Sequence, residues 1–195
     1  MGRARSYDED AVLSGAMHLF RRKGYESVSI RDLEETTGLT CGSIYHSFGD
    51  KAGLFDSAFA HYNRAVLARR IEHFMPPRAG LRGLRELFLS LLHEPNGEAY
   101  GCLITNIAIE QGGQGKSHAR VSEGFEVLHR SFVQRLEAAH RTGTLRSTGP
   151  AAVIAARLLA FYQGILVLVR AGYDKTLLKR LITSEFADLE AGHGG

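Results

Sequence analysis

Residues 24–55, GYESVSIRDLEETTGLTCGSIYHSFGDKAGLF, predict two short helices joined by a tight turn at Gly38. Ser29 and Asp32 have the spacing of a capping box, which would start the first of these helices. Gly38 permits the left-handed backbone conformation that such a turn favours. Four apolar side chains stand at positions that would hold the two helices together: Leu33, Leu39, Ile44 and Phe48. This layout is typical of a helix-turn-helix, whose second helix enters the DNA major groove.

Outside this stretch the apolar residues recur with the 3.6-residue period of helices, and the alternation typical of strands does not persist anywhere. Helices are predicted over 12–23, 51–74, 81–92, 102–110, 117–140, 151–170 and 178–189. The prolines fall at breaks between them. We therefore expect an all-α protein of about nine helices, with a helix-turn-helix DNA-binding head in residues 1–50. Residues 51–195 would form a larger effector-binding and dimerisation body.

The composition is that of an ordinary soluble globular protein, because 44% of the 195 residues are hydrophobic and 23% are charged. Met1–Asp10 is charged and has no signal pattern. The most apolar run, Leu158 to Val169, has 12 residues, whereas a bilayer span needs about 20. Two cysteines, Cys41 and Cys102, do not make a disulfide framework. We expect reduced thiols and a cytoplasmic protein without membrane contact.

The net charge of +3 does not by itself indicate nucleic-acid binding, because it is unevenly distributed. Residues 1–60 carry seven Lys or Arg and nine Asp or Glu, so the predicted head is slightly acidic. Any DNA affinity must therefore come from the local placement of Arg3, Arg5 and Lys51 and from exposed helix N-termini.

The predicted helix over 151–170 is apolar on nearly every side and must be covered on nearly every side. The final helix is also amphipathic. A two-fold homodimer that pairs these last two helices with their copies in a four-helix bundle would cover both. The alternative is a central helix that is wrapped by its own chain.

The run of residues 38–54, GLTCGSIYHSFGDKAGL, is similar to the signature of the TetR family of bacterial transcriptional regulators. Gly24-Tyr25 and the segment 29–33 lie where that family has matching segments, so the resemblance covers about residues 8–60. It implies a homodimeric, ligand-responsive regulator, most often a repressor, whose two heads bind an inverted repeat in double-stranded DNA. The body would hold a small-molecule effector, and the helix over 51–74 would transmit its binding to the head.

The residues expected to contact DNA follow from their places in the motif: Ser29, Arg31, Thr40, Cys41, Gly42, Ser43, Tyr45, His46 and Lys51. Ser29 and Thr40 would cap the two helices, whose free N–H groups can face phosphates. Small side chains early in the second helix would let it approach the DNA closely. Tyr45 and His46 would make phosphate and groove contacts, unless they pack against the next helix instead.

Two positions depart from the family pattern. Cys41 stands where a basic or other polar residue is usual, so one backbone-contacting charge is missing. Glu34 stands where a small residue usually packs between the helices. A carboxylate there must reach solvent or find a partner, since an unpaired buried charge is costly.

The candidate effector-lining residues are mostly apolar with a few polar groups, as in small-molecule sites generally. They are Tyr62, Phe88, Cys102, Asn106, Phe125, His129, Phe132, Tyr162 and Gln163, and most of them would serve equally as plain core. Gly101-Cys102-Leu103 resembles an element found in a subset of TetR-like regulators. Cys102, at the positive end of a helix dipole, is either a reactive thiol that senses electrophiles or oxidants or a small buried apolar residue.

Other functional classes find less support in the sequence. GGQGKS, residues 112–117, has the tail of a phosphate-binding loop but lacks the earlier glycine and the preceding strand, so a flexible loop is the better interpretation. The histidines lack metal-ligand spacing and no catalytic set can be argued, so no metal, cofactor or enzymatic activity is expected. A helix-turn-helix that serves as a protein-interaction module without DNA binding remains an alternative. So does a transcriptional activator.

Overall fold

The structure is a computed structural model that describes residues 7–93, 100–112 and 117–192. Within these residues it contains helices and no strand, which confirms the all-α fold. Arg3 and Arg5, the predicted cations ahead of the first helix, lie outside the described residues. In chain order the elements are α1 (Glu9–Lys23), α2 (Ile30–Thr37), α3 (Cys41–Phe48), α4 (Lys51–His61), a π-helical segment (Tyr62–Leu67), α5 (Ala68–Phe74), α6 (Gly80–Leu89), a 3₁₀ turn (Ser90–Leu92), α7 (Leu103–Gln111), α8 (His118–Arg141), α9 (Ala151–Arg170) and α10 (Lys175–Ala191).

The number of helices agrees with the prediction from the sequence. Helical residues run without a break from 51 to 74, so α4, the π-helical segment and α5 occupy the range that was predicted as one helix. Counted in this way, the described part of the chain holds nine helices. Loop 112–117 is described only at its two ends.

The helix-turn-helix belongs to a compact unit that runs to Val66 and also includes Cys102–Ser122. In this unit α1 packs on α2, α4 and α7, and α3 packs on α2 and α4. Arg120, in the first turn of α8, forms a two-pronged ion pair with Asp56 of α4, with both N···O distances 2.9 Å. The core of this compact unit contains side chains that are buried completely or nearly so, among them Phe20, Leu33, Ile44, Leu54 and Phe59. A functional boundary at residue 50 stays a prediction.

The second compact unit contains Leu67–Gly101 and the chain from Glu123 onward. An aromatic cluster forms its centre, where four rings surround Phe88 of α6 at centroid distances of 5.2–6.0 Å: Phe132, Phe161, Tyr162 and Phe186. Arg157 of α9 and Glu185 of α10 form an ion pair at 3.2 Å. The packed rings bury much apolar area in favourable edge and offset arrangements and so stabilise this unit.

Helix α9 has the predicted range, and its own chain covers only part of its apolar surface. It has 20 residues, and by length and composition alone it could cross a membrane. Only 39% of the most apolar 18-residue stretch of α9 is buried. Val153 and Val167 on α9 are 63% and 43% exposed, and Leu177 and Leu181 on α10 are 39% and 43% exposed. The described residues of its own chain thus leave much of α9 uncovered.

Candidate nucleic-acid interface

Helices α2 and α3 are joined by the turn that the sequence predicted at Gly38. Gly38 has φ 71° and ψ 3°, the left-handed conformation, and its N–H donates to the carbonyl oxygen of Glu34 at 2.9 Å. Leu33 and Ile44 are fully buried and Leu39 is nearly so. Glycine supplies the left-handed cap and the apolar side chains hold the two helices together, which fixes the angle between them.

A complete capping box starts α2. The N–H of Asp32 donates to Ser29 Oγ at 3.1 Å, and the N–H of Ser29 donates to Asp32 Oδ2 at 2.9 Å. Lys23 Nζ, at the end of α1, donates to Asp32 Oδ1 at 2.5 Å. Hydrogen bonds from Lys23 and then from Ser29 hold the pKa of Asp32 well below its usual range. Because the Ser29 hydroxyl serves the cap, a phosphate at the start of α2 would meet backbone N–H groups.

Helix α3 presents small and polar side chains to solvent over an apolar anchor. Thr40 Oγ1 accepts a hydrogen bond from the N–H of Ser43 at 3.3 Å and so caps the helix. Ile44 is completely buried, whereas Tyr45 is 50% exposed and His46 is also exposed. Gly42 is exposed and adds no side chain. Such a helix can approach a DNA groove closely.

Glu34 and Cys41, the two departures from the family pattern, contact each other. The N–H of Cys41, the first residue of α3, donates to Glu34 Oε1 at 2.6 Å. A carboxylate at a helix N-terminus is favoured by the helix dipole and by the charge-assisted hydrogen bond. Glu34 therefore has the partner that its position requires. It also occupies one of the N–H groups at the start of α3 that were expected to face a phosphate.

The two cations of the candidate set that the structure describes are both engaged within the chain. Arg31 Nε donates to Glu35 Oε1 at 3.1 Å on the exposed face of α2. Lys51 Nζ lies 4.5 Å from the centroid of the Tyr25 ring and donates to the carbonyl oxygen of Glu26 at 3.4 Å. The exposed Arg31–Glu35 pair contributes only about 0–1 kcal/mol, and Lys51 contacts a neutral carbonyl oxygen and a ring. A phosphate can therefore compete for both cations.

Gly53 and Glu110 belong to the same unit and were not identified from the sequence. A Cβ at Gly53 would overlap the carbonyl oxygen of Phe48, the last residue of α3, and would lie 3.1 Å from its carbonyl carbon. Glu110 of α7 accepts hydrogen bonds from the N–H groups of Tyr25 and Glu26. Glu110 is 85 and 84 residues from Tyr25 and Glu26, so no local sequence pattern could have predicted its contact with them.

The nine effector candidates are divided between the two compact units. The first unit contains Tyr62, Cys102 and Asn106. The second unit contains the other six: Phe88, Phe125, His129, Phe132, Tyr162 and Gln163. A shared role in one effector site stays a prediction.

In the first unit these candidates make specific contacts. Cys102 is buried, and its Sγ lies 3.1 Å from Tyr62 Oη. Asn106 Nδ2 donates to the carbonyl oxygen of Arg21 at 3.0 Å. Cys41 and Cys102 are both free thiols. Cys102 therefore combines burial with a polar neighbour, and neither interpretation of it is tested by these contacts alone.

In the second unit most of the candidates contribute to the core. Phe88, Phe132 and Tyr162 belong to the aromatic cluster, with Phe132 and Tyr162 at a centroid distance of 6.0 Å. His129 Nε2 lies 3.1 Å from the carbonyl oxygen of Ala152. Phe125 and Gln163 are half-buried.

A cavity of about 510 Å³ lies in the first unit, and it is lined by none of the nine candidates. Its lining residues are Tyr25, Glu26, Ala52, Phe55, Asp56, Glu110, Gln111 and Ser117. Among the described residues, no three or more His, Cys, Asp or Glu side chains are grouped so that they could hold a metal ion.

A capped helix, a left-handed glycine turn and a second helix with an exposed polar face define a DNA-binding transcriptional regulator of the helix-turn-helix class. Comparison with known families agrees. Residues 12–58 match the bacterial regulatory proteins of the tetR family, and residues 77–184 match the tetracyclin repressor-like C-terminal domain. The chain belongs to the TetR family, whose members are transcriptional regulators and not enzymes.

Several relatives and solved structures resemble the chain. It is 34% identical over 114 residues to the HTH-type transcriptional regulator YezE of Bacillus subtilis, and the match covers 57% of this chain and 58% of YezE. It is 29% identical over 173 residues to the HTH-type transcriptional repressor AcnR of Corynebacterium diphtheriae, covering 88% and 85% of the two chains. A cysteine mutant of the TetR family regulator CifR, complexed with 26-base-pair operator DNA, superposes with a TM-score of 0.79 and 25% identity. That match covers 96% of this chain and 100% of the CifR chain.

Proposed function

We propose that the protein is a dimeric, effector-responsive repressor that binds an inverted repeat in double-stranded DNA. The observation that carries the proposal is the exposed polar face of α3 above the buried Ile44. Similarity to AcnR, which is named as a repressor, and to CifR, which was solved with operator DNA, supports both the DNA partner and the repressor role.

The candidate DNA-contacting residues divide into two groups by chemistry. The N-termini of α2 and α3, together with Arg31, Tyr45 and Lys51, would bind phosphates and position the head. Ser43, which is half-buried, and His46, which is exposed, would contact base edges and so determine the preferred sequence. This division predicts that only substitutions in the second group change base preference.

The dimer would be formed through α9 and α10. Their exposed apolar side chains, Val153, Val167, Leu177 and Leu181, would be buried in a four-helix bundle with a second copy. A two-fold dimer presents two heads to the half-sites of an inverted repeat in successive major grooves. This arrangement accounts for the apolar surface of α9 without a membrane and supports a soluble, cytoplasmic protein.

The effector would act by binding more tightly to the conformation that does not bind DNA. A coupling free energy of about 1–3 kcal/mol is typical of allosteric proteins. The contact between Cys102 Sγ and Tyr62 Oη, at 3.1 Å, makes thiol modification a specific candidate trigger. A group added at the buried Cys102 cannot be accommodated unless Tyr62 or its neighbours move.

Selection of randomised double-stranded DNA by the purified protein tests the proposal. It should be performed with and without N-ethylmaleimide on the wild type, on Cys41→Ser and on the double variant Cys41→Ser/Cys102→Ser, because Cys41 is a second free thiol at the start of α3. We expect enrichment of an inverted repeat, lost on thiol modification in the wild type and in Cys41→Ser but retained in the double variant. A folded protein that enriches no sequence would favour the protein-interaction module. Position of the selected repeat relative to a promoter then separates a repressor from an activator.

Sedimentation of a Leu181→Glu variant tests the dimer. We expect a dimeric wild type and a monomeric variant, because the new carboxylate would be buried without a partner. Gln134→Glu, an exposed position on α8, adds the same charge and should leave the dimer intact. A dimeric Leu181→Glu variant would place the interface elsewhere.

A further inference from the structure

We propose that Glu110 is a positioning residue for DNA binding. Its carboxylate holds the segment 24–26, which leads into the helix-turn-helix, and thereby fixes how α2 and α3 are presented. The inference rests on the proposed function in so far as it requires the protein to bind DNA. It adds a residue outside the helix-turn-helix on which that binding depends.

The geometry is that of a carboxylate bound by two consecutive backbone amides. The N–H of Tyr25 donates to Glu110 Oε2 at 2.9 Å, and the N–H of Glu26 donates to Glu110 Oε1 at 2.8 Å. Successive N–H groups that point at one anion form a concave anion site, and hydrogen bonds to a charged acceptor are stronger than neutral ones. Gly24 completes the site: its φ is 83°, and a Cβ there would lie 2.9 Å from Glu110 Oε2.

The same segment is held on its other side by residues of α4. Lys51 donates to the carbonyl oxygen of Glu26 and stacks on the Tyr25 ring. That ring also lies 4.8 Å, centroid to centroid, from the ring of Phe55. Loss of the hydrogen bonds to Glu110 would therefore loosen residues 24–26 ahead of α2. It would also loosen Lys51, the cation that we propose binds a phosphate.

Glu110 shares one face of α7 with Asn106, because the two residues are spaced by four positions. Cys102 is the residue that precedes this helix. Asn106 Nδ2 donates to the carbonyl oxygen of Arg21, near the end of α1, and Cys102 contacts Tyr62. A change at Cys102 that displaces α7 would therefore also displace Glu110, which lies about 12 Å further along the helix, given the rise of an α-helix.

Two variants separate positioning from simple charge. Glu110→Gln keeps the length of the side chain but replaces one acceptor oxygen with an NH₂ group. Glu110→Asp keeps the charge but shortens the side chain by one methylene. If Glu110 acted only through its charge, Glu110→Gln would bind DNA more tightly and Glu110→Asp would be unchanged. A positioning role instead predicts weaker DNA binding by both Glu110→Gln and Glu110→Asp.

We expect each variant to bind the selected operator about tenfold more weakly than the wild type, which corresponds to about 1.4 kcal/mol. Base preference should be unchanged, since Glu110 touches no base-reading residue. The control is Glu137→Gln on the exposed face of α8, which removes the same charge and should bind DNA as the wild type does. Wild-type affinity in both Glu110 variants would overturn the proposal.

Hydrogen exchange supplies a second measurement, and its result for the wild type does not depend on any variant. In the wild type the amides of Tyr25 and Glu26 should be protected. In Glu110→Gln they should exchange faster, while the amides of α9 and α10 keep their protection. Free exchange at Tyr25 and Glu26 in the wild type would overturn the proposal even if a variant failed to fold. A wild type that binds no DNA would instead refute the proposed function, and with it any DNA-positioning role for Glu110.

Discussion

Replacement of Gly53 by alanine should destabilise the connection between α3 and α4. Gly53 is the third residue of α4, and its N–H donates to Asp50 Oδ1 at 2.7 Å. An added Cβ would overlap the carbonyl oxygen of Phe48 and lie 3.1 Å from the carbonyl carbon. Both obstructing atoms belong to the backbone of α3, so no side-chain rotation can relieve the contact. Either α3 or the start of α4 must move.

Two opposing terms determine the size of the effect. Alanine is favoured over glycine inside a helix by about 1 kcal/mol or less. Overpacking of a tight contact costs about 1–3 kcal/mol, because backbone and side chains must shift. The steric term is the larger one at Gly53, and we expect a net loss of about 1–2 kcal/mol in the free energy of unfolding of this unit.

Gly42→Ala provides the matched comparison, since Gly42 is the second residue of α3 and its nearest relevant atom is Thr40 Oγ1 at 4.0 Å. We expect this variant to be as stable as the wild type or slightly more stable. Urea unfolding followed by circular dichroism, with hydrogen exchange of the α3 and α4 amides, measures both. Equal stability of the two variants would refute the argument from the Phe48 carbonyl.

Three further results are expected. Lys51→Ala should weaken binding to all DNA sequences alike and reduce the slope of log affinity against log salt concentration by about one unit. Measurement of affinity at a series of salt concentrations checks this. A change in base preference would contradict the proposed phosphate contact. Because the pKa of Asp32 is lowered in the folded state, its stabilising effect is present above its ordinary pKa and lost as pH falls through the folded value. Unfolding of Asp32→Asn should therefore depend less on pH below about 4 than unfolding of the wild type. Glu34→Gln should raise affinity for any DNA about threefold at low salt, because a charge is removed beside the N-terminus of α3; unchanged or weaker binding would count against it.

The helices and the helix-turn-helix could be predicted from the sequence because their signals are local. The capping box at Ser29 and the left-handed Gly38 each depend on neighbours within four residues, and both are present as expected. The break-free helix over 51–74 follows in the same way from its apolar period. Patterns of this kind involve only residues that are close in sequence, so they can be recognised without knowledge of the tertiary structure.

Contacts between distant residues could not be predicted in this way. Glu110 meets the amides of Tyr25 and Glu26 across 85 and 84 residues, and no spacing rule links them. The effector candidates stay a prediction for a different reason. Phe88 and Phe132 are completely buried in an aromatic cluster, and sequence alone does not distinguish an aromatic residue of a core from one that lines a pocket.

The acidic head constrains how DNA binding works in this chain. With a net negative charge in its first 60 residues, the head gains little from long-range attraction, so affinity must come from groups that touch the phosphates. Glu34 makes this requirement stricter, because its carboxylate accepts the N–H of Cys41 at 2.6 Å and brings a negative charge to the end of α3 that we propose faces the groove. The remaining free N–H groups and Lys51 must then be placed accurately, since few other contacts can compensate for an error. In the proposal made above, the carboxylate of Glu110 contributes to this placement by holding the segment ahead of α2. The absence of a side chain at Gly53 would contribute as well, because it lets the start of α4 lie close to the Phe48 carbonyl.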